Sequence, residues 1–79
     1  MTMGTITDRV DAYVRDTVAG LAPGDQLPSE RTIAGELGAS RTTVRLVLSN
    51  AVAAGLIRAE HGRGYFVTRR RASRARHAG

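Results

Sequence analysis

Within Leu37-Gly38-Ala39-Ser40-Arg41-Thr42-Thr43-Val44-Arg45, a glycine able to stop one helix stands two residues before a serine able to start the next. Gly adopts the left-handed conformation that closes a helix at little cost. A Ser hydroxyl accepts a hydrogen bond from a free first-turn N–H. Gly38-Ala39-Ser40 therefore predicts a tight corner, with a helix from about 41 to 54 that stops at Gly55. At 100° per residue, Val44, Val47, Leu48 and Ala51 share an arc of about 100° that can be buried. Arg41, Thr42, Arg45 and Ser49 share a second arc of about 100° that can face a ligand, and Leu46 sits beside it.

Upstream of the corner, Pro28 disfavours helix before it and Ser29 supplies a second N-cap. The helix that follows turns Ile33, Ala34 and Leu37 inward and ends at Gly38. Gly35 in its interior costs about 1 kcal/mol against Ala, which predicts close approach of another backbone. Leu21-Ala22-Pro23-Gly24-Asp25 is a turn sequence, with Pro presetting φ and Gly accepting positive φ after it. Gln26 and Leu27 leave room for a scrap of strand. Further back, Ile6, Val10, Tyr13, Val14, Thr17, Val18 and Leu21 fall within an arc of about 140°. They define an amphipathic helix over about 7–19, with Thr5 or Thr7 as its cap, Asp8 and Asp11 near its positive end, and Gly20 as its stop.

Downstream of Gly55 the period changes. Leu56–His61 and Tyr65–Arg69 are short strand-like runs joined by Gly62-Arg63-Gly64, a hairpin signal. A short helix, a tight turn and a second helix form a helix-turn-helix unit. A hairpin directly behind makes it winged. The predicted fold is mainly α with a small β-hairpin: a winged helix-turn-helix of three helices and a two- to three-stranded wing over 1–69. Arg70 onward offers nothing to bury and is predicted to be a disordered basic tail, 70–79.

Composition narrows the function. The 79 residues suffice for one small domain, and 42% hydrophobic with 24% charged residues argues against wholesale disorder. The absence of Cys excludes disulfides, thiolate metal sites and thiol nucleophiles. No apolar run approaches the roughly 20 residues of a membrane span, and no basic stretch precedes an apolar one as in a secretory signal. Charge is unevenly placed. Residues 1–36 hold three Arg against six acids, a net of −3, whereas residues 37–79 hold nine Arg against Glu60 alone, a net of +8. The basic half predicts a polyanionic partner.

The chain resembles the N-terminal DNA-binding domain of GntR-family bacterial regulators. The resemblance rests on Pro23-Gly24-Asp25, Leu27-Pro28-Ser29-Glu30-Arg31, Leu37 through Arg45, Gly55-Leu56-Ile57 and Gly62-Arg63-Gly64-Tyr65-Phe66-Val67, all in order over about 6–68. It implies that Arg31, Arg41, Thr42 and Arg45 reach DNA, the last three from a helix in the major groove. Ser40 and Thr43 become phosphate contacts or caps, and His61, Gly62 and Arg63 lie at the minor groove. Arg pairs bidentately with O6 and N7 of guanine, and a thin glycine loop carrying Arg suits the narrow, negative minor groove. Tyr65 departs from the small polar residue usual in the family.

Blander readings stand beside these. Ser29 and Ser40 also serve as caps, Arg31 as an ion-pair partner of Asp25 or Glu36, His61 as plain surface, and Tyr65 as packing. Arg41 and Arg45 repel each other at i,i+4, and no carboxylate on their own helix relieves them, which favours an anion-facing role. Two His, one of them in the tail, make neither a triad nor a metal site, and no phosphate-cradling lysine loop occurs. The expectation is therefore no catalysis, no cofactor and no metal. The expected activity is sequence-specific binding of double-stranded DNA by a bacterial transcriptional regulator, a repressor, on a palindromic operator. The chain is expected to be a monomer or weak homodimer in solution, paired on DNA, with no membrane partner, cytoplasmic and nucleoid-associated. The alternative is a winged-helix module for protein contact or non-specific nucleic-acid binding. Family members usually add a larger C-terminal effector and dimerisation domain, none of which lies within these residues.

Overall fold

In the computed structural model, which describes residues 5–68, the order is α1 (Ile6–Gly20), α2 (Glu30–Leu37), α3 (Arg41–Ala53), β1 (Ile57–Glu60) and β2 (Gly64–Val67). Each helix starts where a hydroxyl can cap it. Thr5 and Asp8 form a reciprocal capping box at α1. Ser29 and Ser40 accept from the N–H of Thr32 and Thr43 at α2 and α3. At the other end of α2, Gly38 takes the left-handed conformation, φ 67°, that lets the chain turn at once into α3. Gly20 behaves differently from expectation: it is the last helical residue, and α1 stops because Leu21 turns extended.

The core is one cluster. Val10, Val14 and Val18 of α1 meet Ile33 and Ala34 of α2, Val44, Val47, Leu48 and Ala51 of α3, and Leu27, Ile57 and Val67. The helical members of this cluster lie on the predicted apolar arcs, so the helical period transfers into packing, except at Ile6, which belongs to the α1 arc and is 37% exposed at the first turn. No polar side chain is buried among the described residues. Gly35 does not carry the close backbone approach expected of it. A Cβ there would meet nothing within 4 Å, so this glycine is exposed and spatially unconstrained.

The wing is an antiparallel pair with Ile57 opposite Val67, Arg58 opposite Phe66, Ala59 opposite Tyr65 and Glu60 opposite Gly64. β1 is shorter at both ends than the expected run, with Leu56 and His61 outside the ladder, whereas β2 begins one residue early, at Gly64 of the expected turn, and stops before Thr68. Gln26 adds a single bridge to Phe66. Around it, Gly24 N–H donates to Val67 O, Val67 N–H to Asp25 O, and Leu27 N–H to Tyr65 O, at 2.9, 2.9 and 2.8 Å. The scrap of strand thus becomes a partial third edge. Strand alternation sends Ile57, Val67 and Tyr65 toward the helices and Arg58, Phe66 and Glu60 outward. The expected basic tail, 70–79, lies outside the described residues, and among those no helix is long and apolar enough to cross a membrane.

Candidate nucleic-acid interface

Arg41, Thr42, Arg45 and Ser49 are all exposed on α3, while the residues on its apolar arc are all buried. Leu46 lies beside them with 52% of its surface exposed. Ser40 and Thr43 are committed to the helix start. The Ser40 hydroxyl accepts from Thr43 N–H at 3.1 Å and donates to Thr43 Oγ1 at 3.0 Å. Capping therefore occupies the Ser40 hydroxyl, whereas Thr42 and the two arginines remain exposed.

The like-charge pair on α3 is relieved after all, from the neighbouring helix. Glu30, first residue of α2, receives Arg45 Nη2 on Oε1 at 3.1 Å and Arg45 Nε on Oε2 at 3.3 Å. Arg41 Nη2 stands 3.8 Å from the same Oε1, and the Tyr65 hydroxyl donates to Oε2 at 3.1 Å. One carboxylate thus ties α2, α3 and the wing together. The hydrogen bond from Arg45 holds the Glu30 carboxyl below its ordinary value, outweighing the partial burial that would raise it. The same contact raises Arg45. Tyr65 is raised first by burial and then by donating to an anion.

Glu30 went unnoticed in the sequence as a site residue. The signal was the unrelieved Arg41/Arg45 repulsion, which asks for an acid on whatever element packs beside α3, and the first turn of α2 is that place. Tyr65 is the packing residue that its departure from the family pattern made it, half-buried against the core, and it carries a polar handle as well.

Arg31 is exposed beside Glu30 and lines, with Ser29, Glu30, Arg41, Gly64 and Tyr65, an open hollow of about 400 Å³. The pairing with Asp25 or Glu36 does not form. Asp25 accepts instead from Ala22 N–H, and Glu36 from the Tyr13 hydroxyl. At the wing tip His61, Gly62 and Arg63 are exposed, in a turn closed by Arg63 N–H on Glu60 O at 2.9 Å with Gly62 at φ 76°. Arg63 and Arg58 stand 5.9 and 5.5 Å from the Phe66 ring centre, a cation–π arrangement on the outer face of the wing. Glu60 is 2.7 Å from Arg58 and 3.9 Å from Arg63.

The family model for bacterial regulatory proteins of the gntR family matches residues 6–67. The HTH-type transcriptional repressor NagR of Bacillus subtilis is 51% identical over 49 residues, 62% of this chain and 20% of that protein. The uncharacterised HTH-type transcriptional regulator YihL of Escherichia coli is 34% identical over 70 residues, 89% of this chain and 29% of that protein. The chain therefore spans less than a third of the length of these curated relatives. Among solved structures, the DNA-binding domain of AraR in complex with operator ORX1 superposes with a TM-score of 0.78 at 25% identity, covering 84% of this chain and 82% of that one. PhnF from Mycobacterium smegmatis gives 0.70 at 33% identity, covering 76% of this chain and 26% of that one. With three helices, a wing and a family match over nearly all of the described residues, this chain belongs to the gntR family of bacterial regulatory proteins.

Proposed function

We propose that this chain binds double-stranded DNA in a sequence-specific manner, as the DNA-binding part of a transcriptional repressor. The observation that carries the reading is the exposed arc of Arg41, Thr42 and Arg45 on a helix whose other side is wholly buried. In this reading α3 enters the major groove and Arg45 and Arg41 pair with guanine edges. Arg31 joins them from α2, and Ser40 and Thr43 place the helix N-terminus against phosphate. His61, Gly62 and Arg63 follow the minor groove, where Arg favours the negative potential. The operator-bound AraR domain supports the DNA reading by its shape, and NagR supports the repressor reading by its relatedness.

The remaining expectations belong to the same proposal. The binding domain runs to about residue 69, and the Arg-rich 70–79 segment adds sequence-independent phosphate attraction. The operator is palindromic. Two copies that are monomers or weak dimers in solution occupy its half-sites in the cytoplasm, and no catalytic step is involved.

The test starts by selecting a preferred duplex from a randomised library with the wild-type chain. Arg45→Ala should weaken that duplex by about 1–3 kcal/mol and leave a scrambled one much less affected. Equal losses on both would reduce Arg45 to a phosphate contact, and no enrichment at all would remove the sequence-specific reading.

A further inference from the structure

Arg45 carries five N–H donors in a planar fork, and Glu30 takes two of them in a particular way. Its two oxygens meet Nε and Nη2, the lateral edge of the guanidinium, at 3.3 and 3.1 Å. Among the described residues the end of the fork has no partner: both N–H of Nη1 and the second N–H of Nη2. One N–H from each nitrogen is what bidentate pairing with a guanine O6 and N7 requires. Glu30 therefore does not compete with a base for Arg45. It holds the fork by its lateral edge and leaves the free end on a side chain that is 61% exposed.

The carboxylate needs fixing in its turn, and Tyr65 supplies this. The Tyr65 hydroxyl donates at 3.1 Å to Oε2, the oxygen that also receives Arg45 Nε. Its ring is half-buried against the core and its backbone is held in β2 opposite Ala59 and by Leu27 N–H, so the hydroxyl has a rigid mount. A small side chain at position 65 would not extend from β2 to α2. We propose that Tyr65, acting through Glu30, is a positioning residue that orients Arg45 for end-on reading of one base pair and thereby sets specificity at that position. The inference rests on the DNA-binding reading given above and adds residues that touch no base.

The experiment compares wild type, Tyr65→Phe, Arg45→Ala and the double variant. Each is titrated onto the duplex selected by wild type, onto that duplex with every position changed singly, and onto a scrambled duplex. Phe keeps the ring and removes only the hydroxyl. Tyr65→Phe should cut discrimination by about three- to tenfold, and only at the position whose preference Arg45→Ala abolishes. Affinity for the scrambled duplex and the salt slope should not change. In the Arg45→Ala background the Tyr65 change should have no further effect. Glu30→Gln, which keeps the shape but weakens the charge-assisted pair, should repeat the pattern and serves if Tyr65→Phe fails to fold. A loss spread evenly over all duplexes, or an undiminished Tyr65 effect without Arg45, overturns the inference while leaving DNA binding intact. Failure of the wild type to enrich any sequence overturns both.

Discussion

Glu30 and Arg45, on different helices, form a two-point ion pair in which the acid side chain is only 17% exposed and the base 61% exposed. An acid folded into the surface thus restrains a base that reaches out from it. The contribution to stability is small on the exposed side, because solvent screens Arg45. The pair's contribution to orientation comes from the Glu30 end, which the Tyr65 hydroxyl also holds.

That pairing sets an acid dependence. A carboxyl held below its ordinary value of 4.5 contributes stability that is present above that pH and is lost as pH falls through the folded-state value. Thermal melts of wild type and Glu30→Gln, compared at pH 7 and pH 3, should show the wild-type advantage shrinking at the lower pH. Equal separation of the two curves at both pH values would contradict the pairing.

Both tyrosines are raised above 10.0, Tyr13 by burial and the Glu36 carboxylate, and Tyr65 by burial and Glu30. Alkaline absorbance titration of the folded protein should therefore show no phenol ionising at the ordinary value. Each preference for the neutral phenol favours the fold below pH 10 and is lost as pH rises through the folded-state value. In strong denaturant both transitions should return to about 10.

Leu46 and Leu48 are two residues apart and opposite in consequence. Leu48 is fully buried, so Leu48→Ala should cost about 2–5 kcal/mol, a large share of the stability of so small a domain. Leu46 is 52% exposed, and Leu46→Ala should leave the melting temperature nearly unchanged. Denaturant unfolding of the two variants checks both.

Ser40→Ala removes the hydroxyl that caps α3 and meets Thr43. It should cost about 1 kcal/mol, or about 4–8 °C in melting temperature for a domain of this size. Ser40→Asp should restore much of that stability, because a carboxylate caps equally well, while placing a negative charge at the helix end. Calorimetry of the three proteins tests the order.

The helices were legible because their determinants are local. Ser29 and Ser40 as caps, Gly38 as a stop and the periodic Val and Leu positions each act within one or two turns of their own chain. Gly20 misled because a glycine signals permission to leave a helix, and extended backbone at Leu21 was enough without using it. Gly35 differs from expectation because the cost of a glycine inside a helix does not require a steric reason for it, and here the packing contains none. The candidate site was legible where helical spacing alone decides which residues stay exposed, as for Arg41, Thr42 and Arg45. Glu30 was not, because its role depends on how α2 crosses α3, and no spacing along the chain encodes that crossing.

Gln26 fastens the wing at a second point. Its Nε2 donates to Arg63 O at 2.7 Å, and a Cβ on Gly64 would come within 2.9 Å of that nitrogen, so the amide fills the space a side chain would take. Together with the backbone bonds from Gly24, Leu27 and Val67, this makes the α1–α2 connection a strap across a hairpin whose own strands have four residues each. A two-stranded ribbon of that length is marginal alone. Strapped, the hairpin is tied to the segment between α1 and α2 along its length, by backbone bonds at Val67 and Tyr65 and by Gln26 at Arg63 beside the loop tip. The position of the tip is thus set by that segment as well as by the hairpin's own two strands.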